Sequence, residues 1–182
     1  MKKLPAGLTD NSMEVFLHQG KLLALQNGHT VEYFDLHNVM REPFQAELIR
    51  DKAALNCLKT QFNLYEADEM EYKFVACRYG ALNAHPDMEG LQLTPDAPGC
   101  GNIATCKGFN VVCKVPPGPN GVLSHSEYMV AQLVAQGKID KEIADMLNIK
   151  VPTVRTHLSR IRDKLCVNNR IEISIWCHNQ GI

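Results

Sequence analysis

Apolar residues recur most regularly at three- and four-residue steps in the last third of the chain, where four short helices are predicted. Ser124 and Glu127 are spaced as a capping box, and Val130, Leu133 and Val134 follow on one face as far as Gly137. A second helix is predicted from Asp140, an N-cap residue type, with Ile143, Ala144 and Leu147 inward and Asn148-Ile149 as a tight connection. A third, from about Val151 to Leu165, carries the stripe Val154, Leu158, Ile161 and Leu165, and Pro152 suits its first turn. A fourth, from about Asn169 to Gln180, has Ile173 and Trp176 as anchors.

Upstream the pattern is weaker. Phe44, Leu48, Leu55, Leu58 and Phe62 share a helical face, which predicts one helix from Glu42 to Gln61 with Pro43 in its first turn. A second is predicted from about Glu66 to Tyr79, with Met70, Phe74 and Cys77 inward and Gly80 as its stop. Residues 14–37 leave the choice open: Val15 to Leu25 reads as a helix and Val31 to Leu36 as a strand. Asn83 to Pro98 is turn-rich, with room for short strands. Residues 114–121 hold three prolines and two glycines and can be neither helix nor central strand. The expected organisation is therefore an N-terminal region over 1–113, a linker over 114–121 and a C-terminal domain over 122–182. The expected fold class is mainly α: four C-terminal helices, preceded by a mostly helical region that ends in a small cysteine-rich, turn-rich segment.

Composition narrows the class. With 45% hydrophobic and 21% charged residues the chain reads as globular rather than disordered. No apolar run is long enough for a membrane span, and Thr9, Asp10 and Asn11 cut off any apolar stretch behind Lys2 and Lys3, so a cytoplasmic protein without a signal peptide is expected. Net charge is −1, yet residues 122–182 carry eight basic against six acidic side chains, a local excess of +2. That excess matters only if it is focused on one face.

The third helix provides such a face. With its aliphatic stripe turned inward, Arg155, Thr156, Ser159, Arg160 and Arg162 are left outward. A short helix with cations and small polar groups suits the DNA major groove, where base edges display donors and acceptors. Charge alone also fits an ordinary solvated helix. The run Lys141-Glu142-Ile143-Ala144, followed after eight residues by Thr153-Val154-Arg155-Thr156-His157, adds more. Together with Leu123-Ser124, Ile161-Arg162-Asp163-Lys164-Leu165 and Arg170, it closely resembles the LuxR/FixJ-type helix-turn-helix from about residue 122 to the end. The resemblance implies a transcription regulator that binds double-stranded DNA as a homodimer. It implies base contacts from Arg155, Thr156 and Ser159. Phosphate contacts fall to Lys141, Thr153, Arg160, Arg162 and Lys164, and dimer contacts to Ile173 and Trp176 on the fourth helix. Two positions depart from the family: Lys150 stands where it usually has a Ser or Thr cap, and Cys166 where it usually has Gly.

A receiver domain's acidic pair, later aspartate and lysine do not appear in order within 1–113, and an acyl-homoserine-lactone pocket would need a longer domain. The seven cysteines are an odd number without an export signal, which disfavours a disulfide framework. Cys77, Cys100, Cys106 and Cys113, the last three interleaved with Gly101 and Gly108, offer four thiolates for one structural zinc, with His85 as the rival fourth ligand. Buried thiols and a thiol redox switch are the other readings of this set. Cys57, Cys166 and Cys177 fall on predicted helices as packing residues. Two further functions stand as alternatives. One is a sigma-like module acting with RNA polymerase; the other is a cysteine-dependent enzyme, for which no nucleophile–base pair is visible. The zinc expectation has a direct check: protein purified without chelator should contain about one zinc per chain. A metal content near zero would remove it.

Overall fold

The computed structural model describes residues 4–182. The chain forms two compact units. The first runs up to Cys100 and adds Lys107–Lys114; the second comprises Gly101–Cys106 and Val115–Ile182.

The first unit corrects the expectation of a mostly helical region, because it is built on a five-stranded antiparallel sheet. Strands β1 (Met13–His18), β2 (Lys21–Gln26) and β3 (His29–Glu32) form a meander, and β4 (Met88–Glu89) and β5 (Gln92–Leu93) extend it in the order β3-β2-β1-β4-β5. Val15 to Leu25 is thus a hairpin rather than a helix. Its turn residues Gln19 and Gly20 both have positive φ, as do Asn27 and Gly28 in the next turn. Positive φ at both central residues matches the right-handed twist of the flanking strands. The segment read as a strand from Val31 to Leu36 keeps only the end of β3 before a 3-10 turn over Tyr33–Asp35.

Three helices pack with this sheet. The single helix expected from Glu42 to Gln61 is two, α1 (Asn38–Arg50) and α2 (Lys52–Gln61), and Pro43 lies inside α1. Asp51 (ψ 79°) breaks the run, and its carboxylate accepts from the Ala54 N–H to cap α2. Helix α3 (Ala67–Arg78) follows the expected span. Met13, Val15, Tyr33, Phe44, Leu58, Phe74, Tyr79 and Met88 form the common core. Arg78, almost wholly buried, ties the helices together. It donates from NH1 to Glu47 (2.8 Å), from NH2 to Asp51 (2.8 Å) and from Nε to the Val112 carbonyl (2.8 Å). Glu71 is the matching buried acid and accepts from Tyr33, Arg41 and Gln45. Burying these charges is tolerable because each is paired and hydrogen-bonded.

A second acidic group is less well satisfied. Glu14 on β1 and Asp87 before β4 are out of water, and each leaves one oxygen without a partner. Glu14 accepts from the Asn83 N–H, Asp87 from Val15 and Asp96 from Ala81. Desolvation first, then mutual repulsion, pushes Glu14 up to about 8 and Asp87 up to about 11; burial raises Asp96 to about 6.

The second unit is a four-helix domain: α4 (His125–Ala135), α5 (Asp140–Leu147), α6 (Val151–Leu165) and α7 (Arg170–Asn179). Tyr128, Val130, Val134, Ile143, Val154, Ile161, Leu165 and Ile173 fill its interior. The Gly118–Gly121 turn lies beneath the end of α6, where Asn120 donates to the carbonyls of Asp163 (2.8 Å) and Lys164 (2.9 Å). These are carbonyls that a helix end leaves open. Among the described residues no helix is long and apolar enough to cross a membrane.

The acidic group gives a pH test. A carboxyl whose folded pKa is raised keeps its full contribution below the unfolded value and loses it as pH rises. For Glu14 the window runs from its ordinary 4.5 to about 8. The wild-type first unit should therefore lose stability across that window, at up to about 1.4 kcal/mol per pH unit for this group. Glu14→Gln should make the profile less steep, leaving the slope that Asp87 contributes over the same range. Parallel curves for the two proteins in urea melts from pH 5 to 8 would show that Glu14 does not carry the effect.

Candidate nucleic-acid interface

The geometry of the second unit starts from how α6 is delivered. Helix α4 opens with the expected capping box: Glu127 accepts from the Ser124 N–H (2.7 Å). Asp140, expected as the N-cap of α5, is instead its first helical residue, and the N-cap is Ile139. The open Ile139 N–H donates to Glu142 (2.8 Å), which frees the Asp140 carboxylate for other partners. Helix α5 closes on Asn148 in the left-handed region (φ 52°), and the Ile149 N–H returns to the Ala144 carbonyl (2.9 Å). Two residues later α6 begins. Its N-cap Lys150 makes no side-chain capping bond, so its start rests on Pro152 and on packing.

The sides of α6 are sharply different. Val154, Ile161 and Leu165 are buried and Leu158 is half-buried, as the stripe predicts. Thr153, Arg155, Thr156, Ser159 and Arg160 are exposed, and Arg162 is half-buried. Lys141 is exposed at the start of α5. Thr156 donates its hydroxyl proton back to the Pro152 carbonyl (3.1 Å), so toward a ligand it offers a methyl group and oxygen lone pairs. Arg155 keeps 72% of its side chain exposed, with its Nε 3.7 Å from Asp140. The structure therefore brings Arg155, Thr156 and Ser159 to one open face, with Thr153 and Arg160 beside them.

Lys164 is a correction. It was expected to reach phosphate, but its ammonium donates to Glu127 (2.7 Å) and to the Val122 carbonyl (3.0 Å). The Glu127 side chain is 4% exposed; burial alone would push its carboxyl up, but the bonds from Lys164 and Ser124 together hold it below its ordinary value. Lys164 is a strut inside the domain. Ile173 is a second correction: it is 1% exposed and spent on the domain's own core, so it is not available to a partner. The apolar surface of α7 consists of Ile171 and Ile175, both exposed, beside the half-buried Trp176. Cys166 is a third. It is no helix-packing residue but an exposed C-cap in the left-handed region (φ 56°), which accounts for glycine at the matching family position.

The four cysteines considered for zinc differ in setting. Cys77 and Cys106 are half-buried, Cys100 is exposed, and Cys113 is buried with its Sγ 3.8 Å from the Gly108 carbonyl. His85 is exposed. Among the described residues no group of three or more His, Cys, Asp or Glu could hold a metal ion. Cys57 and Cys177 are buried, as packing residues should be, and burial pushes the Cys177 thiol up to about 11.

Comparison with known proteins agrees with this geometry. Residues 121–177 match the family described as bacterial regulatory proteins, luxR family. Over 64 residues the chain is 37% identical to the transcriptional regulatory protein LiaR of Bacillus subtilis, covering 35% of this chain and 30% of that protein. Over 50 residues it is 54% identical to the transcriptional regulatory protein DesR of the same species, covering 28% and 25%. The nitrate/nitrite response regulator protein NarL of Escherichia coli is 33% identical over 60 residues, covering 33% and 28%. The chain thus spans less than a third of the length of each of these relatives, and the family match covers residues 121–177 of the C-terminal domain.

The strut gives a stability test. Lys164→Met removes the partner of a buried carboxylate and should cost about 3 kcal/mol or more at pH 7. Since the folded pKa of Glu127 is depressed, its contribution is present above its ordinary 4.5 and is lost as pH falls through the folded value. The penalty should accordingly shrink in acid. A variant as stable as the wild type at pH 7 would mean that the pair is not a structural constraint.

Proposed function

We propose that this chain, whose C-terminal domain is a LuxR-family helix-turn-helix, is a sequence-specific regulator of transcription that lays α6 in the major groove of double-stranded DNA. The observation that carries the reading is the sidedness of α6. Its aliphatic residues are consumed by the core, while Arg155, Thr156 and Ser159 stay open on the other side. Arginine can present two N–H groups to the O6 and N7 of guanine, and small hydroxylated side chains can meet either bases or the thymine methyl. Lys141, Thr153, Arg160 and Arg162 border this face, where contacts to phosphate fix register without reading sequence.

The proposed assembly is a homodimer on a two-fold site. Its contact is the exposed α7 surface of Ile171 and Ile175, one helical turn apart, with the half-buried Trp176 at its margin. The function is binding rather than catalysis. RNA polymerase enters only as the machinery that such a regulator influences.

The test uses a duplex selected by the full chain from a random pool and a shuffled duplex of equal composition. Arg155→Ala should weaken binding to the selected duplex by about 1–3 kcal/mol and broaden the base preference at one position. Lys141→Ala should weaken both duplexes alike and lower the slope of log K against log salt by about one. Equal losses for Arg155→Ala on both duplexes would refute its base-reading role. Failure to enrich any duplex would refute the function itself.

A further inference from the structure

We infer that Lys150 is a phosphate-binding residue of the DNA interface, and that the chain gives up a helix cap to place it there. This inference rests on the proposed function and adds to it a residue that lies just ahead of the recognition helix.

Lys150 occupies the N-cap of α6, with extended backbone (φ −83°, ψ 148°). That position favours Ser, Thr, Asp or Asn, whose side-chain oxygen accepts from an N–H that the first turn leaves open. An ammonium has no acceptor to offer, and Lys150 makes no such bond. Its charge also stands at the positive end of the dipole of a 15-residue helix, where a cation is repelled. Both effects work against the folded free protein.

No partner inside the protein offsets them. Lys150 is exposed, and among the described residues no carboxylate lies within ion-pair distance of its ammonium. Lys164 and Arg170 of the same domain are tied instead to Glu127 and Asp140, each at 2.7 Å.

The position suits a phosphate. Lys150 is three residues ahead of the exposed Thr153, at the border of the open face of α6. With α6 lying in the major groove, the turn that leads into it passes the sugar–phosphate wall of that groove. The ammonium and the positive helix end, which repel each other in the free protein, both attract a phosphate there. An ammonium is a compact charge with rotatable donors, so the contact favours a phosphate without reading a base. Lys150 then helps to fix where α6 begins along the DNA, while Arg155 reads.

Lys150→Ser restores a cap and removes the charge, so its two effects have opposite signs. The thermal midpoint of the C-terminal domain within the full chain should rise by a few degrees. Affinity for the selected and the shuffled duplex should fall alike, about three- to tenfold near physiological salt. The slope of log K against log salt should fall by about one per bound chain. A more stable protein that binds less tightly cannot owe the loss to unfolding. Lys150→Ala should lose the same affinity and slope with a smaller rise in midpoint, since only the repulsion is relieved. Lys150→Arg should keep the slope of the wild type.

Wild-type affinity and slope for Lys150→Ser would overturn the inference while leaving DNA binding intact. A loss confined to the selected duplex would overturn it too, because the residue would then read a base. A midpoint that does not rise would show that no cap had been given up. If the full chain enriches no duplex, the proposed function fails and this inference fails with it.

Discussion

Glu127 sets the constraint on which the C-terminal domain depends. A carboxylate almost out of water must have its lone pairs used, and three groups use them: the Ser124 N–H, the Ser124 side chain and the Lys164 ammonium. The first two fix where α4 begins. The third reaches the far end of α6, and the same ammonium binds the Val122 carbonyl just ahead of α4. One buried charge therefore fixes the start of one helix and the end of another. Asn120 and Gly118 act at the same place, since a Cβ on Gly118 would sit 2.6 Å from the Lys164 carbonyl. The aliphatic stripe decides which side of α6 turns inward; the Glu127–Lys164 pair helps decide how far along its axis the helix sits. Both are needed before Arg155 has a definite position.

The C-terminal domain was legible because its helices are short, amphipathic and punctuated. The Val151–Leu165 span and the capping box at Ser124 follow directly from residue spacing. What spacing could not give is the choice a polar side chain makes among several partners. Lys164 has the residue type of a phosphate contact and the position of a strut, and only the fold brings Glu127 to it. Asp140 looks like a cap, yet it is one residue too late, and its carboxylate turns to Arg170 and Arg155. Ile173 and its neighbours Ile171 and Ile175 are equally apolar, so only the packed helix shows which one the core consumes.

The first unit was less legible, and for two separate reasons. One signal was present in the chain: Asn27-Gly28, between β2 and β3, is a dipeptide that favours a two-residue hairpin turn. Leu22, Leu23, Ala24 and Leu25 give β2 a nearly continuous apolar run, which hides the two-residue period that would have supported it. The other reason is absent from any local window. Arg78 is buried because Glu47, Asp51 and the Val112 carbonyl converge on it from separate parts of the sequence. A helical wheel places Arg78 near the end of α3 as a favourable C-terminal cation and cannot report that it is in the core.

Buried acids are thus accommodated in two opposite ways. Glu127 and Glu71 sit with cations, and the attraction offsets part of what desolvation costs. Glu14, Asp87 and Asp96 sit with one another, and no cation is among the causes of their shifts. Neutral protonated forms are then the less costly state for the two most buried of them near neutral pH, which makes protons part of the folded first unit. The open side of α6 follows a third course. Arg155 is paired, but in water and at long range, so its charge is neither buried nor committed.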